Sequence, residues 1–181
     1  MSAKVSGELN VSPEKVVSEL RKHIFGIIGT VSKDGRPHAT GVSYSTSVSG
    51  KSLALYIMTG TGTKKVRNIL RNPNVSFVVP IPRMLLTFAP MSCIQFQGKA
   101  LVLKVDDAGA IESLKSTRMG RMSLDMAEKM NSGTWGELCF IMITPDPVIH
   151  TYGVGLSLMQ MRSSMGQAQG KTELPVELRT S

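Results

Sequence analysis

Residues 53–79 read LALYIMTGTGTKKVRNILRNPNVSFVV. An apolar, strand-like run stops at Thr59, and a Gly/Thr turn follows. Lys64 and Lys65 then open an amphipathic helix that ends at Asn72-Pro73, and a second apolar run begins at Val75. The helix sets Val66, Ile69 and Leu70 on one face and Arg67 and Arg71 on the other. Pro73 stops it. The lysine pair stands at the wrong end, because a helix N-terminus carries partial positive charge and unpaired N–H groups. Acidic residues belong there, yet no carboxylate occurs from residue 59 to residue 79. An anion between the two ammonium groups resolves the conflict. The hydroxyls of Thr59, Thr61 and Thr63, the backbone N–H groups of Gly60 and Gly62, and the two lysines together make a phosphate cradle. A pair of solvated surface lysines is the plainer explanation for such a pair in an arbitrary chain.

Strands flank this stretch on both sides. Ser12-Pro13 starts a helix, with Ser as N-cap and Pro at the first turn, and Val16, Val17 and Leu20 follow at helical spacing. Residues 24–31, IFGIIGTV, form a buried strand. Asp34-Gly35 tolerates the positive φ angles of a hairpin turn, and residues 37–47 return as a second strand. A turn at residues 49–52 leads into residues 53–58, so three strands make an antiparallel meander. Residues 75–79 and 92–105 are further strands, the latter with Gly98 marking a bulge or bend. Residues 106–131 are helical, capped by Asp106 and broken at Gly120, with a stripe at Met119, Met122, Met126 and Met130 that reads as core or subunit interface. Residues 133–136 turn around Trp135. Strands at 138–144 and 148–154 are separated by Pro145-Asp146-Pro147, a short helix runs from Gly155 to Met161, and a polar, mobile tail follows Ser163. The fold expected is mainly β: an antiparallel barrel, closed or nearly closed, with flanking helices. It is a single domain with an N-terminal helix in 1–22, the barrel in 23–155 with a helical insertion at 106–131, and a tail at 156–181.

Composition narrows the function. With 181 residues, 41% hydrophobic and 19% charged, the chain has the makeup of an ordinary globular domain. No apolar run approaches the roughly 20 residues of a membrane helix, and the first residues lack a signal peptide's apolar stretch, so a cytoplasmic location is expected. A net charge of +8 favours anionic partners, but the charge is dispersed. Aromatic residues are 5%, thin for a base-stacking platform, and no nucleic-acid-binding motif is present. Cys93 and Cys139 match no metal-ligand spacing and read as reduced core residues. Gly153-Val154-Gly155 follows a strand but lacks the third glycine of a dinucleotide fingerprint.

The hairpin KDGRPHATGVSY, the strand ALYIMT, the turn GTGTKK, the helix VRNILRNP and the strand VSFVV together resemble the pyridoxamine 5′-phosphate oxidase-like proteins, which are flavin-binding split β-barrels. The match covers residues 24–105, and the order of elements fits to residue 154. The resemblance implies FMN bound at a homodimer interface. It implies that Thr59, Thr63, Lys64 and Lys65 hold the flavin phosphate, and that the ring lies along Thr40, Gly41, Val42 and Ser43 of the second strand. Cys93 aligns with a flavin-contacting Gln of the family. Trp135 and Tyr152 close the pocket from the partner subunit, or else are a core Trp and a strand Tyr. The apolar loop at 81–91 shapes a substrate pocket or packs on the neighbouring subunit. The chain departs from the oxidase itself at Thr40 and Ser45, where the oxidase has basic residues, and in a C-terminal segment without the oxidase's Arg/His-rich substrate site. Pyridoxamine phosphate oxidation itself is therefore not expected. What remains is a flavin-dependent oxidoreductase with a small substrate, a deazaflavin-dependent reductase, or a non-catalytic flavin- or haem-binding protein. Haem would take an axial ligand from His23, His38 or His150. The reading assigns no catalytic side chain and no metal, because flavin chemistry requires no strong side-chain acid or base.

Overall fold

The computed structural model describes residues 9–49, 52–82, 91–129, 135–156, 159 and 168–179. In chain order the elements are α1 (Pro13–Lys22), β1 (Phe25–Val31), β2 (Pro37–Ser43), β3 (Ser45–Ser49), β4 (Ser52–Gly60), α2 (Lys64–Ile69), β5 (Asn74–Ile81), β6 (Ser92–Lys104), α3 (Ala108–Lys115), α4 (Arg118–Lys129), β7 (Leu138–Tyr152) and β8 (Gln169–Glu173), with a 3₁₀ turn at Val176–Leu178. All named strand pairs are antiparallel. They form one sheet in the order β2-β1-β5-β6-β7-β4-β3, with β8 added on β7.

The expected second strand is two strands. The chain bends at Tyr44, so that β2 pairs with β1 at one edge of the sheet and β3 pairs with β4 at the other. Hairpins join β1 to β2 and β3 to β4, but the simple three-strand meander is replaced by a sheet that curls until its two edges are consecutive pieces of chain. Tyr44 causes the bend by turning inward. Its hydroxyl donates to the Leu20 carbonyl at 3.0 Å, and its ring stands edge-on to Phe77, which stacks on Phe96. The Thr46 hydroxyl also donates to the Leu20 carbonyl, at 3.1 Å, which ties the end of α1 to the bend. The core inside the curl includes Ile28, Leu55, Ile57, Ile94, Ile141, Ile143 and Ile149. A second cluster, in which α3 contributes Ala110 and Leu114, covers Ala54, Tyr56 and Phe140. β4 is thus buried on both faces, which is why its sequence is a continuous apolar run.

Four further expectations change. Pro145-Asp146-Pro147 does not split the last strand. β7 runs through it, and its register against β6 slips between Phe96–Ile149 and Gly98–Pro145. The extra residues form a bulge that absorbs the missing proline N–H groups, and Gly98 lets the Thr144 carbonyl pack where a Cβ would stand. α2 ends at Ile69, earlier than Asn72: the Arg71 N–H makes a tighter, 3₁₀-type bond to the Asn68 carbonyl at 3.0 Å, and the Asn72 N–H closes one last turn onto the same carbonyl at 2.9 Å. The cap of α3 is Asp107, not Asp106, and accepts from the Ala110 N–H at 2.8 Å. The helical break falls at Ser116–Thr117, before Gly120. The Thr117 hydroxyl accepts from the Gly120 N–H at 3.0 Å, and Gly120 sits against the Leu114 carbonyl.

The tail is not loose where it is described. β8 pairs with β7 along Val148–Tyr152, Thr172 donates to the Val11 carbonyl at 2.7 Å, and Ala168, Gly170, Thr172 and Leu174 are all buried. Such alternation of small and apolar residues is a strand signal, hidden here by polar neighbours. Residues 133–134 of the expected turn, the end of the expected helical region at 130–131, most of the expected helix at 155–161, residues 83–90 of the apolar loop, and the Met119, Met126 and Met130 side chains lie outside the described residues. Met122 is exposed. Leu174 is fully buried, so Leu174→Ala is expected to cost about 3 kcal/mol of unfolding free energy in urea titration.

Candidate functional site

The curled sheet leaves a seam. Among the described residues β2 has a ladder partner only in β1, and β4 beyond Tyr56 only in β7, although the Gly60 carbonyl also accepts from the Thr63 N–H at 3.1 Å. A cleft of about 330 Å³ lies where these two strands approach each other. Gly41, Val42 and Ser43 line one side, Thr59 and Gly60 the other, and Lys65 reaches it from α2. Along an edge with no partner strand, alternating N–H and C=O groups stay open to a ligand. The third wall comes from α3 and α4: Leu114, Thr117, Gly120 and Ser123. Reading the sequence missed this wall. Its signal was present as small residues three apart at 117, 120 and 123, of which only Gly120 was singled out, as a helix break.

Five of the nine expected site residues therefore meet in one cleft: Gly41, Val42, Ser43, Thr59 and Lys65. Thr40 precedes it on β2 and bonds to the His38 ring at 3.4 Å. Thr63 is the N-cap residue of α2 but makes no capping bond, and its Oγ1 is buried with no hydrogen-bond partner. Lys64 is exposed. Its charge acts on Asp34, whose carboxyl is held low mainly by the Ser32 hydroxyl, with Lys64 a smaller cause. The carboxylate absent from the local sequence is thus partly supplied in space, by the β1–β2 turn. Cys93 does not line the cleft; it pairs with Pro80 and Tyr152 in the middle of the sheet.

The turn glycines do a different job from the one expected. The Gly62 N–H donates to the Trp135 carbonyl at 3.0 Å, and the Thr61 N–H donates to the Glu137 carbonyl at 2.8 Å. A Cβ on Gly60 would overlap the Trp135 carbonyl. These glycines let the turn lie flat against residues 135–137, and the Gly62 N–H is not free for an anion. Trp135 itself is 66% exposed and lines the cleft, so it is not a core residue.

Lys65 dominates the electrostatics. It is 8% exposed and forms no ion pair among the described residues. Burial pushes its pKa below the ordinary 10.5, while Cys139 acts the other way. Cys139 lies opposite Thr59 in the β4–β7 ladder. Its thiol is pushed up by burial and drawn back by Lys65. A largely buried lysine without an ion pair and, two residues before it, a buried Thr63 hydroxyl without a partner among the described residues are each costly. An anion with several acceptor oxygens in the cleft relieves the cost at Lys65. The donor set therefore fits a phosphate group, and the open strand edges fit a flat heterocycle that carries its own donors and acceptors.

Comparison with known proteins agrees on the fold. The family model described as pyridoxamine 5′-phosphate oxidase matches residues 12–143. This chain belongs to that family. The antiparallel sheet with its open seam is the family's split barrel. Among solved structures, HutZ, a haem storage protein from Vibrio cholerae, superposes with a TM-score of 0.61 at 17% identity, over 80% of this chain and 98% of its own. An FAD-binding protein from Mesorhizobium loti gives 0.55 at 18% identity, over 77% and 92%. A pyridoxamine 5′-phosphate oxidase-related, FMN-binding protein from Nostoc punctiforme gives 0.51 at 13% identity, over 86% and 82%. At such identities the likeness is one of fold. No curated protein sequence matches this one. Among the described residues no helix is long and apolar enough to cross a membrane, and no group of three or more His, Cys, Asp or Glu is placed to hold a metal ion.

The cost of the buried ammonium is measurable. Because the folded protein holds the Lys65 proton less tightly than the unfolded chain does, stability rises as pH climbs from the lowered pKa toward 10.5, and falls as pH drops through the lowered value. In ligand-free protein, Lys65→Met is expected to raise the unfolding free energy by on the order of 1 kcal/mol and to flatten that alkaline rise. A Lys65→Met protein less stable than the parent in urea titrations across that range would show that the ammonium is already satisfied.

Proposed function

We propose that this protein binds FMN in the seam cleft and acts as a flavin-dependent oxidoreductase on a small substrate. Lys65 carries the reading: a buried ammonium with no carboxylate partner, in a cleft walled by two strand edges that lack partners. Thr59, Thr63, Lys64 and Lys65 hold the phosphate. The edge of β2 at Gly41, Val42 and Ser43 meets the ring, with Thr40 at the entrance to that edge. The missing side chain at Gly41 makes room for the Phe25 ring, which a Cβ there would meet at 3.0 Å. When bound, FMN supplies hydride and electron transfer, and the chain supplies capture, orientation and exclusion of water.

The FMN-binding and FAD-binding structures of the same fold support a flavin. The haem storage protein makes haem the competing occupant, but none of the three histidines lines the cleft. His23 contacts Glu19 at 3.4 Å, His38 bonds to Thr40, and His150 is exposed on β7. The oxidase's own substrate remains disfavoured, since Ser45, where the oxidase has a basic residue, is buried and bonded to Ser113 at 2.9 Å.

The protein works as a homodimer in this reading. Phe25 is 50% exposed and Ile27 37% exposed on the outer face of β1, beside Gly41 and Ser43 of the cleft. Cys93 shares that outer face on β6. A second copy covers it and brings Cys93, Tyr152 or Trp135 toward the flavin. Two free cysteines accord with a reducing compartment such as the cytoplasm.

The absorption spectrum and mass of the co-purifying molecule decide the occupant. Two flavin bands with the mass of FMN are expected; a single deazaflavin band or a Soret band overturns FMN. Lys64→Ala combined with Lys65→Ala is expected to weaken FMN binding by about 100-fold in fluorescence titration, and full occupancy in that double variant would remove the phosphate assignment. Ile27→Lys is expected to yield monomers in analytical ultracentrifugation and to lose flavin with them.

A further inference from the structure

The seam has a structural weakness that a buried side chain corrects. β2 carries one wall of the cleft but is held by ladder hydrogen bonds only through β1. α2 carries Lys65 and belongs to the other wall. No ladder joins these two parts, so the distance between the ring wall and the phosphate clamp needs another tie.

Asn68 supplies it. It lies on α2, three residues after Lys65, and is 0% exposed. Its Nδ2 donates to Thr30 Oγ1 at 2.9 Å. Thr30, also buried, donates in turn to the His38 carbonyl of β2 at 3.3 Å. The other end of the amide accepts from Arg71 Nη2 at 2.8 Å. The direction of every bond is determined. An arginine only donates, so Oδ1 faces Arg71 and the amide nitrogen faces Thr30. The Thr30 hydroxyl must then accept from Asn68 and spend its one proton on His38. The relay runs from α2 through β1 to the main chain of β2. Val66 and Ile69, close by on α2, are apolar core residues. An aliphatic residue at 68 would bury as well, so an amide bonded at both ends there serves to fix one geometry.

We propose that Asn68 is a positioning residue. Through Thr30 it locks α2 to β2, and so determines how far Lys65 stands from the Gly41–Ser43 wall. The consequence is discrimination for a phosphorylated cofactor over the same ring system without phosphate. This rests on the flavin reading given above.

The test uses two ligands and a substitution remote from the cleft. Thr30→Val removes the relay hydroxyl at constant shape; Thr30→Ser keeps it. Asn68→Leu breaks the relay from the other side. FMN and riboflavin affinities are titrated for each full-length protein. The expected result is FMN affinity about tenfold weaker in Thr30→Val and Asn68→Leu, with riboflavin affinity unchanged, and recovery in Thr30→Ser. Equal losses for both ligands, as from general destabilisation, would overturn the proposal, and so would an unchanged FMN-to-riboflavin ratio. A second readout needs no ligand. Amide hydrogen exchange across His38–Ser43 is expected to quicken in Thr30→Val and to be restored in Thr30→Ser. Unchanged exchange there overturns the relay whatever the protein binds. Failure of the parent protein to bind either flavin, with exchange behaving as expected, instead overturns the choice of flavin as ligand and, with it, the cofactor-discriminating role, leaving the relay as a tie between α2 and β2.

Discussion

Tyr44 turning into the core is the constraint on which the site depends. One run of β-forming sequence serves two edges of the same sheet because its middle residue is fastened to Leu20 and packed edge-on to Phe77. Ladder hydrogen bonds cannot continue through such a bend. A curled sheet with a bent strand at its meeting edges must therefore leave main-chain donors and acceptors unpaired near the bend, and water or a ligand must satisfy them. The cleft between β2 and β4 follows from the way the barrel closes.

Charge then gives the cleft its preference. Most of the net charge of +8 lies on solvated side chains, where it does little. Among the described residues Lys65 is the exception, because burial removes much of the water that would otherwise screen it. One ammonium held in this way discriminates among ligands more sharply than several at the surface. Lys64, exposed and near Asp34, contributes field more than specificity. The thiol of Cys139 behind Lys65 stays protonated under the pressure of burial, so it leaves the ammonium uncompensated.

Much of this was legible in the residues. The hairpin at Asp34-Gly35 and the strand–turn–helix from Leu53 are local signals, and each element starts where its pattern predicts, although α2 closes at Ile69, short of the proline at residue 73. The elements misread were those governed by distant contacts. Nothing near Tyr44 announces a bend; Leu20 and Phe77 impose it. Pro145 and Pro147 break a strand by local rules, yet β7 continues because Gly98 across the ladder leaves room for a bulge. The glycines of the turn looked like anion-binding backbone until the Trp135 carbonyl proved to take the Gly62 N–H and to pack where a Gly60 side chain would stand. Lysines 64 and 65 look alike in the sequence, and only the packing of α2 separates a buried clamp from a surface charge.

β8 bears on how the molecule comes into being during synthesis. It covers β7 along Val148–Tyr152, and residues 9–11, from the other end of the described chain, pack against it. Until residues 168–174 leave the ribosome, half of β7 has an open edge, and the segment that precedes α1 has nothing to rest on. The nascent barrel must pass through an interval in which an apolar strand is available to any neighbouring chain. The polar, charged character of GKTE within β8 keeps that late segment soluble while it waits to dock.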